Sequence, residues 1–210
     1  MPGIHDLALF LLTGLLLNIT PGSDTLYIVS HSAARGARAG AMAALGIGGG
    51  CLVHVTAATA GLSAILATSA LAFTVVKLAG AAYLVWIGIG MLRGGRGKAA
   101  AAPARATGSG AAIFWQGCLT NVLNPKVALF FLALLPQFIA PDAPRKWTAF
   151  LFLGVLFTFN STLWNLFVAW SAARVARGAS VFTRHGQRLR QCAGVMFIGL
   201  GLRLALARQA

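Results

Sequence analysis

Apolar residues in this chain neither alternate nor keep to one helical stripe. They come in long runs, separated by short stretches of small, polar or basic residues. The runs extend from about Leu7 to Ser30, Ala39 to Ala67, Leu71 to Leu92, Ala111 to Phe138, Trp147 to Ala173 and Cys192 to Leu206. About 20 apolar residues in a helix cross roughly 30 Å of hydrocarbon. The pattern therefore predicts six transmembrane helices. Two runs are interrupted. The first contains Asn18-Ile19-Thr20-Pro21-Gly22-Ser23-Asp24, and the fourth contains Asn121-Val122-Leu123-Asn124-Pro125-Lys126. Proline removes a backbone donor and clashes with the carbonyl four residues back. In hydrocarbon a freed carbonyl must be satisfied by protein or by a watered cavity. Broken helices with a charge beside the break mark a binding site.

Composition agrees with the pattern. The chain has 210 residues, 58% hydrophobic and 10% charged, with a mean hydropathy of +0.80. Soluble domains carry about 25% charged residues. The fold class is thus an all-α polytopic membrane protein. The net charge of +14 raises nucleic acid as a partner. However, the basic residues lie in connections between apolar runs and are not interleaved with aromatics, so no nucleic acid is expected. They fit topology-setting charge and attraction to anionic lipid headgroups. Cys51, Cys118 and Cys192 show no CxxC or Cys/His spacing, so neither metal nor cofactor is expected. No Lys or Arg precedes the first run, so no cleavable signal peptide is expected.

Connections one, three and five carry Arg35, Arg38, Arg93, Arg96, Lys98, Arg105, Arg174, Arg177, Arg184, Arg188 and Arg190. Connections two and four carry only Arg145 and Lys146. The positive-inside rule then makes the odd connections cytoplasmic and puts both termini in the periplasm. Residues 94–110 read as a flexible basic linker. They divide a first repeat, 1–93, from a second, 111–210. Pro21 aligns with Pro125. Three spans per half is an odd number, so the second half enters the membrane in the opposite sense: two inverted three-helix repeats with broken first and fourth helices.

The chemistry at the breaks is electrostatic. The half-helix after Pro21-Gly22 has free N–H groups and about half a unit of positive charge, which suits a carboxylate. Ser23 is expected to cap it, and Lys126 adds a full charge. Asp24 is the only acidic residue well inside an apolar run, available for a substrate ammonium or a coupling proton. Asp24 and Lys126 are expected to pair when the site is empty. The expected substrate-binding set is Asn18, Thr20, Pro21, Gly22, Ser23, Asp24, Asn121, Asn124, Pro125 and Lys126. His54 joins Asp24 as a proton-coupling candidate. Tyr83, Asn160 and Trp164 are secondary pocket candidates; Asn160 and Trp164 share a face at i, i+4. The glycines of the second span, Gly40, Gly46, Gly48, Gly49 and Gly50, are read as close helix packing. Lys77, near the start of the third span, is expected to snorkel to the interface.

These motifs resemble the LysE-type amino-acid exporters, in particular the homoserine/threonine-resistance (RhtB) branch. The resemblance covers nearly the whole chain. It rests on Thr20-Pro21-Gly22-Ser23-Asp24-Thr25, on Asn121 to Lys126, on Gly36 to Gly40, and on Lys77 to Gly88 in the third span. The family pattern has Pro where this chain has Ser23. The resemblance implies an inner-membrane exporter of amino acids driven by the proton-motive force, not an enzyme. It leaves room for a homo-oligomer. Neutral substrates such as homoserine, threonine or leucine are favoured over Lys and Arg, because these spans lack a second carboxylate. A thiol-disulfide electron carrier would need two apposed cysteines. A metal-ion exporter would need clustered His, Asp or Cys.

Overall fold

A computed structural model describes residues 3–62, 109–140 and 142–176, with scattered helical positions between 74 and 92 and between 195 and 205. Most of the third and last predicted spans, with Lys77 and Tyr83, lie outside the described residues, as do Cys192 and the linker before Ser109.

The regular elements among the described residues are all helices, with one isolated bridge between Ile4 and Ile139. The first run forms α1 (Leu7–Ile19) and α2 (Ser23–Arg35), bent by 54° at their junction. The second forms α3 (Ala37–Ala57), which continues through a wider turn over Ala58–Leu62. The fourth forms α4 (Gly110–Val122) and α5 (Pro125–Leu129), and the chain runs on helically to Phe138 with a 49° bend at the break. The fifth forms one 30-residue helix, α6 (Lys146–Val175). Two helices are long and apolar enough to cross a membrane, and the two bent pairs bring the total to four among the described residues.

Both bends have the same local cause. A residue before proline is pushed out of the α region. Thr20 and Asn124 obey, with ψ of 115° and 106°. Between α2 and α3 the chain turns on a single residue, Gly36, at φ 82°. That is a conformation L side chains rarely adopt.

The helices pack where side chains are smallest. A Cβ on Gly46 would strike the carbonyl of Phe114. One on Gly50 would strike the carbonyl of Cys118 and the Cβ of Asn121. The four-residue spacing puts both glycines on one face of α3, and α4 lies against that face. This is the small-residue packing the sequence predicted.

Two apolar clusters form. One holds Phe10, Leu17, Cys51, Phe130, Phe131, Phe150 and Phe157, joining α1, the second half of α3, the helix after Pro125 and the first half of α6. The other holds Tyr27, Ile28, Ala43, Ala44, Ile47, Ile113 and Ala169, joining α2, α3, α4 and the second half of α6. Along α6, Ser161 and Asn165 fall between Phe157 of one cluster and Ala169 of the other. A polar belt thus crosses the protein near the middle of its longest helix. Large apolar side chains such as Leu123, Trp115, Phe159 and Leu163 stay exposed, as lipid-facing residues do.

The ends of the bundle are also defined. Near one end, Gly3 and His5 bond to the chain after the fourth span, His5 N–H to the Phe138 carbonyl and Ala140 N–H to the Gly3 carbonyl. At another, Arg35 and Arg38 share a cavity with Gly110 at the start of α4. The first connection and the entry to the fourth span therefore share a side.

Candidate functional site

The two breaks touch. Lys126 Nζ, from the start of α5, donates to the Thr20 carbonyl at 2.8 Å. Its chain lies over Gly22, where an added methyl would sit 3.6 Å from Nζ. In an uninterrupted helix the Thr20 carbonyl would accept from the amide of residue 24. The bend frees it, and the lysine of the other break takes the place of that amide. In the reverse direction, Asn121 Nδ2, at the end of α4, donates to Asp24 Oδ2 at 2.8 Å.

Pro125 leaves the Asn121 carbonyl without its helical donor. Asn124 N–H reaches it at 2.9 Å, and His54 Nε2 donates to it from α3 at 3.0 Å. The His54 ring stacks on Phe131, with centroids 5.9 Å apart. His54 is thus a strut under the second break. His54→Leu is expected to lower stability by about 1–3 kcal/mol, the cost of stripping a partner from a buried polar group. Thermal unfolding in detergent measures this, and His54→Gln, which keeps a donor, should recover part of the loss.

A cavity of about 20 Å³ lies at the junction. It is lined by Asn18, Gly22, Asp24, Asn121 and Lys126, together with Ser161 and Asn165 of α6. That is room for one or two waters, so an amino acid requires the half-helices to part. Ser161 Oγ donates to Asn18 Oδ1 at 3.0 Å. Asn18 Nδ2 and Asn121 Oδ1 are buried without a protein partner. The junction therefore presents one ammonium and one carboxylate, each held by a neutral group. It also presents one open amide donor and one open amide acceptor.

Two expectations need correction, the ion pair and the Ser23 cap. Asp24 and Lys126 do not form an ion pair; the Thr20 carbonyl and the Asn121 amide occupy them instead. Ser23 does not cap α2. Gly22 holds the N-cap position, and the Ser23 hydroxyl turns to Asp24 Oδ1 at 3.3 Å. The side-chain cap occurs at the other break, where Asn124 Oδ1 accepts from Lys126 N–H at 3.0 Å. Pro21 and Pro125 are exposed and shape the breaks without lining the cavity. Asn160 and Trp164 are half-buried and do not line it either. The face of α6 that does is Phe157, Ser161 and Asn165, at i, i+4 and i+8. Leu17, Thr25 and Val127 complete the lining, and nothing in their residue types singled them out.

Other chemistry is sparse. Cys51, buried and accepting a hydrogen bond from Thr158 Oγ1 at 3.2 Å, and Cys118 are both free thiols. Among the described residues no three His, Cys, Asp or Glu side chains cluster as metal ligands.

Comparison with known proteins gives a consistent result. Residues 15–208 match the family model of the LysE type translocator. An uncharacterized membrane protein of Vibrio cholerae is 36% identical over 98% of both chains. A homoserine/homoserine lactone efflux protein of Salmonella typhi is 31% identical over 96% of each. A leucine efflux protein of Enterobacter sp. strain 638 is 27% identical over 97% of this chain and 96% of its own. No solved structure matches. The motifs at the two breaks and the length of the match agree: the chain is a membrane-embedded member of the LysE-type translocator family.

Proposed function

We propose that the protein is a secondary transporter that exports neutral amino acids across the bacterial inner membrane in exchange for protons. One observation carries this reading: opposite charges at two adjoining helix breaks rest on neutral partners. A zwitterion offers each a better one. The substrate carboxylate would replace the Thr20 carbonyl on Lys126 and accept from Asn18 Nδ2. The substrate ammonium would replace the Asn121 amide on Asp24 and donate to Asn121 Oδ1. Each resting bond joins one charge to a neutral group; the substrate would replace it with a bond between opposite charges and add their Coulomb attraction, so each exchange favours binding. Thr20, Gly22, Ser23 and Asn124 hold the two half-helix ends in place for it. Asp24, alternating between substrate and proton, serves as the coupling group.

Neutral substrates are favoured because Asp24 is the only carboxylate among the residues lining the cavity. The names of the homoserine and leucine efflux relatives point the same way. The architecture in this reading is two inverted three-helix repeats, 1–93 and 111–210, with odd connections cytoplasmic and both termini periplasmic. The shared side of Arg35, Arg38 and Gly110 supports it.

The test is flux into liposomes holding the purified protein, with a panel of labelled amino acids and an imposed pH gradient. Gradient-dependent movement of leucine, homoserine or threonine is expected. Movement of lysine and arginine alone would overturn the neutral assignment, and no flux of any amino acid would defeat the reading as a whole.

A further inference from the structure

The cavity at the two breaks is unevenly lined. Among the described residues, its apolar side chains are Leu17 from α1, Val127 from α5 and Phe157 from α6. All three belong to the apolar cluster around Phe10 and Phe130. The cluster around Tyr27 and Ile28 contributes no lining residue. Three helices therefore bring apolar side chains to the cavity from one side of the polar belt.

Phe157 is the largest of the three, and its ring is held. It stacks on Phe130 with centroids 4.5 Å apart and meets Phe131 edge-on at 5.5 Å. Gly14 of α1 makes room for it: a Cβ there would stand 3.1 Å from the ring. One turn further along α6, Ser161 already donates its hydroxyl to Asn18.

We propose that, once the half-helices part, the substrate's side chain seats on this apolar wall with Phe157 as its floor, so that the protein selects aliphatic amino acids of the leucine kind over homoserine. The inference rests on the export reading, which gives the substrate ammonium to Asp24 and its carboxylate to Lys126. With both ends held, the side chain is the third point of contact. The wall's side chains carry no hydrogen-bonding group, so a hydroxyl placed on it loses water and gains no partner. A methyl group placed there loses nothing and is removed from water. The ring of Phe157 fills the space that an aromatic substrate would need. One methylene in an apolar pocket changes discrimination by about 10-fold to 200-fold.

The test is competition against labelled leucine on the purified protein in detergent, with alanine, homoserine and phenylalanine as competitors. The wild type should bind leucine at least roughly 10-fold more tightly than each of them. Phe157→Leu removes the ring and keeps the wall apolar. It should raise the affinity for phenylalanine relative to leucine by about 10-fold. Val127→Ala trims the wall from a different helix and should shrink the advantage of leucine over alanine by about 10-fold. Each readout is a ratio of two affinities on one preparation, so a fraction of unfolded protein leaves it unchanged. Homoserine or alanine binding as tightly as leucine overturns the proposal, and so do unchanged ratios in both variants. Either result leaves the export reading standing. Binding of no amino acid at all would defeat that reading and this inference with it.

Discussion

Asp24→Asn is expected to cut amino-acid flux by about 100-fold or more while the protein still inserts and folds. Breaking a buried, hydrogen-bonded charge contact costs about 2–5 kcal/mol, and each 1.4 kcal/mol is about tenfold. Asparagine keeps an oxygen for the Asn121 amide, so the hydrogen bond joining α2 to α4 survives. What is lost is the charge that receives the substrate ammonium. Lys126→Ala should be as inactive and less stable, because the Thr20 carbonyl loses its donor. Lys126→Gln, which keeps a donor without the charge, separates the two effects. Exchanging the residues, with Asp24→Lys and Lys126→Asp together, should not restore flux. The two side chains do not contact each other, so exchange leaves each new charge facing the wrong neutral partner. Flux into liposomes and thermal unfolding in detergent read the two quantities side by side. Full activity of Asp24→Asn and Lys126→Ala would place the site elsewhere.

Gly50→Ala is expected to damage packing and substrate binding together. Its Cβ would collide with the Cys118 carbonyl and stand 2.8 Å from Asn121 Cβ. Both are held by the α4 backbone, so no flexible side chain can give way. Overpacking of this kind costs about 1–3 kcal/mol, sometimes more. The position also sets where Asn121 stands relative to Asp24. The variant should therefore lose both unfolding temperature and substrate affinity. Gly22→Ala, by contrast, would meet Lys126 Nζ at an ordinary 3.6 Å and should be tolerated far better. Thermal unfolding and substrate binding, measured on both variants in detergent, check the contrast.

Much of this arrangement was legible in the residues. Runs of apolar side chains placed the starts of the four described spans to within two residues, because length and hydropathy alone decide whether a helix can cross lipid. Thr20-Pro21 and Asn124-Pro125 announced both bends through backbone sterics, which need no tertiary information. The glycines of α3 announced a close approach without naming the partner helix.

The rest depended on what surrounds each group. Asp24 and Lys126 looked like a pair because opposite charges attract. The bends, however, create a competing acceptor at Thr20, and Asn121 is a competing donor, neither of which appears until the chain folds. Asn160, Ser161, Thr162 and Asn165 point from α6 in different directions. An i, i+4 spacing fits Asn160 with Trp164 as well as Ser161 with Asn165. Only the position of Phe157 in the apolar cluster, one turn before Ser161, shows which face looks inward. Ser23 was one residue late to cap α2, a register that the motif itself does not fix.

The central claim is that the junction recognises both charges of one small solute. The most direct measurement is competition against labelled leucine binding to the purified protein by three edited ligands: leucine amide, which lacks the carboxylate; isoamylamine, which lacks it and its carbonyl; and 4-methylpentanoate, which lacks the ammonium. Unlabelled leucine should compete, and all three edited ligands should be weaker by about 100-fold, the effect of leaving one buried charge without its partner. Competition by any of them as strong as that of leucine would contradict the account.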